Sequence, residues 1–582
     1  MNRLLTILIC ASWCSCLAAQ QYYLKGEVRD EAGNALQNVM IHHPGGFIFY
    51  SGSTGTFGIL SGSQRDSLLF SLDGFQKQKV QVEAATYIRI VLKKSPKAAF
   101  PNKRSSYTKD LKFETQQQWF VGNETYASKV DNSFIPADKY PSTAVTLNID
   151  RASYSNVRRL LNSKSMVPPD AVRIEEMLNY FNFNYREPAD KKEFEIETTL
   201  TNCPWNTANQ LLFAVVRSKK VLLDSLPPTH LVFLIDASAS MDAPTRMPLI
   251  KAGFRGLVNN LRAKDSVSIV IYGATVGIHL NTTSGSEKQR IINAIDSLET
   301  GGSTPGESGV KLAYKVARKH FIQGGNNRVV LATDGDFNVG LRTEEELEEM
   351  ISQQRESGVY LTCLGVGMGN YKDSKIQTLA QKGNGNFAYI DNYAEAEKVM
   401  MKEFMQTLYT VADDASLQVV FNPAYVKHYR LIGFDNKVGA IKDTAATIEG
   451  GEVGSGYSML VVFEIEPVKQ SIATGVELAP GTFTLQYRLP KDPKLLEEKL
   501  TPRLQLVPFA QLDKSYRFAS AVILFGSLLH ESKFSKSQNW NDVLSLANAS
   551  FNPEDASQKE FPVLVEKAKA IYGTKKKKKF SY

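Results

Sequence analysis

Histidine, tryptophan and cysteine are scarce in this 582-residue chain, at seven, four and five copies. Three of the cysteines, Cys10, Cys14 and Cys16, fall at the very start. Only Cys203 and Cys363 lie beyond them, which excludes a disulfide framework and a cysteine metal cluster. The sequence leaves open whether those two pair; the expectation is that they do not, because Cys363 sits in the apolar run Val359–Val366 and reads as a buried strand residue. The histidines are dispersed. No His-Glu-x-x-His zinc motif occurs, since His530-Glu531 lacks the second histidine. There is no Gly-x-Ser-x-Gly nucleophile elbow and no paired Cys/His candidate, so the common hydrolase signatures are missing. In Gly301-Gly-Ser-Thr-Pro-Gly306-Glu-Ser308, Glu307 stands where a phosphate loop needs lysine. Past the first nineteen residues no apolar run is long enough for a membrane span. Charge of one sign is also in short supply. The net charge is +8, from 68 Lys+Arg against 60 Asp+Glu, and much of the excess is the terminal run Lys575–Lys579. The body is near neutral, which gives nucleic-acid binding no support.

What is present divides into segments. Residues 1–19 have a basic start at Arg3, an apolar stretch and small residues at Ala18-Ala19, the layout of a secretory signal peptide. An uncleaved anchor is the alternative. Residues 20–95 alternate short apolar and polar segments between Gly-rich turns and read as a small β-sandwich. Residues 96–135 are polar and read as a linker. Residues 136–225 contain a helical segment at 152–161 and Pro168-Pro169-Asp170, where Asp170 is expected to cap a helix leading to Tyr180. The aromatic cluster Tyr180, Phe181, Phe183 and Tyr185 reads as packing. Residues 226–410 alternate buried apolar strands with amphipathic helices, ending in a helix over 394–408. That pattern implies an α/β fold with a doubly wound, mostly parallel sheet covered on both faces. Residues 411–574 return to strands, a second β-layer, and then to helices. Residues 575–582 form a basic tail, read as a solvated terminus.

One constellation carries chemistry. The strand His230–Ile235 runs into Asp236-Ala-Ser238-Ala-Ser240, at the carboxyl edge where such sheets bind ligands. One carboxylate and two hydroxyls are hard oxygens of the kind Mg²⁺ prefers. Two more loops at that edge offer Thr304 and Asp334. Asp236, Ser238, Ser240, Thr304 and Asp334 resemble, in their order and on the expected strands, the metal-ion-dependent adhesion site of the von Willebrand factor A domain. The resemblance implies direct contacts to Mg²⁺ (or Mn²⁺ or Ca²⁺) from Ser238, Ser240 and Thr304. It implies water-mediated roles for Asp236 and Asp334, and a vacant position for an acidic group of a partner. Ala239 departs from the glycine the family often has there, and a β-carbon resists positive φ.

The flanking segments extend the match. Thr146-Leu-Asn-Ile-Asp150-Arg-Ala-Ser-Tyr154, Pro168-Pro-Asp-Ala-Val172, Leu331-Ala-Thr-Asp-Gly-Asp-Phe-Asn-Val-Gly340 and Tyr429-Arg-Leu-Ile-Gly-Phe434 resemble an exported bacterial subfamily of von Willebrand A proteins with a C-terminal extension. Gly26-Glu-Val-Arg-Asp30, Gly55-Thr-Phe-Gly58 and Phe70-Ser-Leu-Asp-Gly-Phe75 resemble the carboxypeptidase-regulatory-like domain, a non-catalytic module. These resemblances imply an exported envelope protein, periplasmic, outer-membrane-associated or on the cell surface. It would act not as an enzyme but by metal-dependent adhesion to a protein partner whose identity the sequence does not give. Two alternatives stay open: an envelope scaffold with a vestigial metal site, and a metal-dependent hydrolase, for which no base or nucleophile is recognisable near the site.

Overall fold

A computed structural model describes residues 22–94, 124, 126 and 131–573, apart from 38, 45–47, 53, 73–74, 148–149, 184–185, 190–191, 303–305, 336–349, 355–356, 368–372, 404–405, 407, 435–450, 469–476, 491 and 493. The expected signal peptide, most of the expected linker, Thr304 and the basic tail therefore lie outside the described residues. The chain divides into two units, Met1–Asn102 and Lys103–Tyr582.

The first unit is all β: β1 (Tyr22–Asp30), β2 (Met40–His42), β3 (Ile48–Tyr50), β4 (Thr56–Ser61), β5 (Arg65–Ser71), β6 (Gln78–Glu83) and β7 (Tyr87–Leu92). They form two sheets, ordered β4-β1-β7 and β3-β2-β5-β6. Strict alternation along β4 turns Phe57 and Ile59 inward and leaves Thr56, Gly58 and Leu60 outside. Leu24, Val28, Ile41, Phe70 and Leu92 complete the core between the sheets.

The second unit begins with β8 (Ile135–Pro136), β9 (Ser142–Thr146), α1 (Ala152–Asn162), α2 (Ile174–Asn179), β10 (Phe194–Asn202) and β11 (Gln210–Ser218). The α/β region follows: β12 (Thr229–Asp236), α3 (Met247–Asn259), β13 (Ser266–Tyr272), β14 (Gly277–Ser284), α4 (Lys288–Asp296), α5 (Gly306–Lys319), β15 (Asn326–Thr333), β16 (Val359–Val366), α6 (Asp373–Lys382), β17 (Phe387–Ile390) and α7 (Tyr393–Glu397). Its sheet runs β14-β13-β12-β15-β16-β17, and only the β13–β14 pairing is antiparallel. The apolar run of β12 feeds both faces. Leu231, Phe233 and Ile235 pack under α3, while Val232 and Leu234 pack under α5.

After α7 come β18 (Thr410–Phe421), β19 (Val426–Leu431), β20 (Gly451–Gly454), β21 (Ser458–Pro467), β22 (Gly481–Arg488), β23 (Leu495–Leu500), β24 (Leu506–Val507), α8 (Lys514–Leu529), α9 (Trp540–Ser550) and α10 (Ala556–Gly573). The α/β region is an insertion in a sandwich built from strands on both sides of it in sequence. One sheet is β24-β10-β11-β21-β19-β8. The facing sheet is β20-β18-β22-β23, with β9 paired to β18. Leu212, Leu417, Phe421, Phe463 and Phe483 fill the space between them. The other face of the first sheet, through Phe213, Val215 and Val462, is covered by α1, α2 and α8–α10. β11 is therefore buried along its whole length.

Three local expectations are corrected. Asp170 does not cap α2. Pro169–Ala171 form a single 3-10 turn, the chain is then extended, and α2 begins after Arg173. The geometry is imposed by burial: Arg173 N–H donates to Ser153 Oγ at 2.9 Å, and Ser153 N–H donates to Glu176 at 2.8 Å. The helix expected over 394–408 stops as an α-helix at Glu397 and widens into a π-turn over Lys398–Lys402, placing the Lys398 ammonium 3.1 Å from the Tyr180 ring centroid. The end of the stretch read as a linker is packed. Glu124 pairs with Arg159 at 2.8 Å, and Asn132 donates to the carbonyls of Leu431, Gly433 and Phe434. Cys203 and Cys363 are both buried and free.

His230, wholly buried on β12, bonds Ser268 through Nε2 at 3.1 Å and faces the His320 ring. Burial, with His320 beside it, holds its pKa down at about 4. The folded form thus keeps the ring neutral, and that stability is present above pH 6.5 and lost as pH falls toward 4. The loss attributable to this group is about 3 kcal/mol. Urea melts at pH 7 and pH 4 on wild type and His230→Gln check it; an equal acid-induced loss in both proteins would refute the assignment.

Candidate functional site

The site sits where the parallel strands end. β12 and β15 are neighbours at the centre of the sheet, so Asp236 and Asp334 leave adjacent strand ends. Asp236 is fully buried. Its Oδ1 accepts the Ser238 N–H at 2.9 Å, and its Oδ2 accepts the hydroxyls of Tyr272 at 3.2 Å and Thr333 at 3.1 Å. Burial nevertheless pushes its pKa up to about 6; the Ser238 and Thr333 bonds pull against that, and the charge of Asp334 adds to it. Asp334 is 4% exposed.

Ser238 is buried and Ser240 exposed, with their Oγ atoms 3.0 Å apart. The pair therefore spans from the strand end to the rim. Ala239–Asp242 form a 3-10 turn, and Ala239 is not among the residues at positive φ, so the absent glycine costs the loop nothing. The loop is pinned from behind. Ala237 N–H donates to Tyr272 O at 2.7 Å, Gly301 N–H to Ala237 O at 2.8 Å, and Ala239 N–H to Gly302 O at 3.3 Å. Gly302, at φ +75°, lies against the Ala274 backbone, where a β-carbon has no room. The 301–302 backbone is thus tied to the serine loop. Thr304 itself is outside the described residues.

The structure brings Asp236, Ser238, Ser240 and Asp334 to one edge and adds three side chains the sequence reading missed. Tyr272 and Thr333 orient Asp236. Their signal was available, since each ends a strand adjacent to β12, and Tyr272 is in register with Asp236. Arg246, just before α3, places Nη1 2.8 Å from Asp334 Oδ2 and donates to the Ser240 carbonyl. Nothing in sequence spacing marks it. An open groove beside the site is lined by Asp242, Lys251, Arg255, Glu299, Thr300 and the exposed Tyr393.

Among the described residues no three His, Cys, Asp or Glu side chains converge as a metal centre. An ion at this edge would draw on hydroxyl and carboxylate oxygens together. The donor set fits a small hard cation: Asp236 and Asp334 are both buried, Arg246 pairs with Asp334, and the Ser238 and Ser240 hydroxyls stand within hydrogen-bond reach of each other. Three other buried guanidiniums pair with carboxylates of distant elements. Arg158 joins α1 to Asp391 and Glu395, Arg173 joins α2 to Asp373, and Arg328 on β15 joins Glu452. No helix among the described residues is long and apolar enough to cross a membrane.

Comparison with known proteins places these regions. A family model described as von Willebrand factor type A domain matches residues 230–402, and one described as von Willebrand factor matches residues 121–213. A third, the C-terminal region of the uncharacterized protein YfbK, matches residues 406–571. YfbK of Escherichia coli (strain K12) is 36% identical over 475 residues, covering 77% of this chain and 82% of its own. The uncharacterized protein sll0103 of Synechocystis is 25% identical over 193 residues, 33% of this chain and 44% of that one. Among solved structures, a von Willebrand factor type A protein from Catenulispora acidiphila covers 64% of this chain and 88% of its own at 15% identity, with a TM-score of 0.37.

Proposed function

The chain belongs to the YfbK family of von Willebrand factor type A proteins, and we propose that it captures a protein partner through a divalent cation held at the ends of β12 and β15. Domains of this type generally serve protein interactions. The observation that carries the reading is the Asp236–Ser238–Ser240–Asp334 edge, two buried carboxylates with a hydroxyl pair leading to the surface. Ser238 and Ser240, with Thr304, would hold the ion directly, and Asp236 and Asp334 would act around it. The cation, Mg²⁺, Mn²⁺ or Ca²⁺, supplies positive charge for an acidic group of the partner. The chain's own contribution is to hold the oxygens in place and to present the neighbouring groove, whose exposed Tyr393 and mixed charges suit a polypeptide. The action is binding and not catalysis. The signal-peptide-like layout of residues 1–19 and the resemblance of the first unit to carboxypeptidase-regulatory-like domains support an exported envelope protein.

Titration of Mn²⁺ into wild type and Asp236→Ala checks the metal. Wild type is expected to bind, and the variant to lose at least about tenfold in affinity, as removal of an oxygen anchor at a hard-cation site does. Equal binding by the two proteins would end the proposal. The scaffold reading draws support from Arg246, which neutralises Asp334 from within the chain. Native pull-down with and without EDTA separates the two, since a chelator-insensitive partner favours the scaffold.

A further inference from the structure

The candidate site carries a cation of its own. Arg246 Nη1 lies 2.8 Å from Asp334 Oδ2, and the guanidinium also holds the Ser240 carbonyl. The arginine is 16% exposed and its carboxylate 3%, so the pair is shielded from solvent on the acid's side. Its seat is shaped. Gly367, at the end of β16 with φ +86°, faces the Arg246 side chain so closely that a β-carbon there would collide with Nε, Cδ and Cγ. Three strand ends therefore meet around one guanidinium: Ser240 after β12, Asp334 after β15 and Gly367 after β16.

We propose that Arg246 is a tethered competitor for the divalent cation, setting the metal affinity of the site by drawing on the same Asp334 charge. The inference rests on the metal reading above. A fixed positive charge beside a carboxylate lowers that carboxylate's attraction for a second cation, the more so in a shielded setting. It also holds the Ser240 backbone, and so the hydroxyl loop, in one position. A site tuned this way fills only where the free cation is abundant. The arginine is positioned to move from Asp334 to the acidic group of an arriving partner, because its head group reaches the rim through Ser240.

The test uses Mn²⁺ binding to the full chain, read by electron paramagnetic resonance of the free ion and by the metal-induced shift in melting temperature. Arg246→Gln keeps a donor for the Ser240 carbonyl and removes the charge; Arg246→Lys keeps the charge. We expect Arg246→Gln and Arg246→Ala to bind Mn²⁺ at least about tenfold more tightly than wild type, as loss of a nearby like charge dictates. Arg246→Lys should stay near wild type. Near-ultraviolet circular dichroism identifies a misfolded variant, and Arg246→Gln decides the matter if Arg246→Ala misfolds. Equal or weaker binding by Arg246→Gln, with wild type binding, would overturn the competitor and leave the metal reading standing. Absence of Mn²⁺ binding in every protein would overturn both.

Discussion

The Arg158→Ala variant should lose about 3–5 kcal/mol of unfolding free energy, the typical cost of removing one partner from a buried ionic network. Arg158 is 4% exposed and lies on α1, yet its partners come from distant parts of the chain. Nε donates to Asp391 at 2.7 Å, Nη2 to Glu395 at 2.7 Å, and Nη1 to the Tyr180 hydroxyl and Glu560, each at 3.1 Å. Asp391 directly follows β17 and Glu395 lies in α7, so one guanidinium fastens the last strand and helix of the inserted region to α1 and α10. Burial already raises the pKa of Asp391, with Arg158 acting against it. Without the arginine, two carboxylates stay buried with no cation between them. Urea denaturation measures the loss. The triple variant Arg158→Met, Asp391→Asn, Glu395→Gln should recover much of it, because it removes the stranded charges. A single Arg158→Ala variant within about 1 kcal/mol of wild type would show that the network does not hold the insertion in place.

Phe181→Ala is expected to cost a similar amount, about 3–5 kcal/mol, by the cavity it leaves. Phe181 is 4% exposed, with ring centroids of Tyr154 at 4.9 Å, Phe518 at 5.0 Å and Phe561 at 5.9 Å, all edge-on. Those neighbours belong to α1, α8 and α10, so the ring is one of the contacts shared between the N-terminal segment and the C-terminal helices. The cost should fall locally. Limited proteolysis of Phe181→Ala should cut within 514–573 sooner than in wild type, and Phe181→Leu should be intermediate in both measurements. A variant with unchanged melting temperature and digestion pattern would place the helices' attachment elsewhere.

Much of the candidate site was legible because its chemistry is written locally. Asp236, Ser238 and Ser240 fall within one loop, and the apolar run before them identifies a central strand whose end must lie at the sheet edge. Asp334 follows the same rule on β15. What orients Asp236 was only half legible: Tyr272 and Thr333 end adjacent strands, but their hydroxyls had to be seen to point at one carboxylate. Arg246 was not legible, since an arginine before a helix carries no mark of the acid it will meet. Asp170 shows the reverse error. A good capping residue after two prolines lost to a buried arginine, because the network at Arg173 outweighs a cap worth about 1 kcal/mol.

Taken alone, the order of residues determined that this chain holds a β unit near its start and, further on, an α/β region with hard oxygens at its strand ends. Periodicity and loop chemistry are local properties, and they survive without knowledge of the fold. Only the tertiary structure decided that the α/β region is an insertion. β11 pairs with β21 across it, Leu212 opposite Phe463, and the strands before and after close one sandwich. Strand pairing between segments so far apart leaves no periodic trace in either one, because each edge offers the same backbone hydrogen bonds to any partner; shape and burial choose among them.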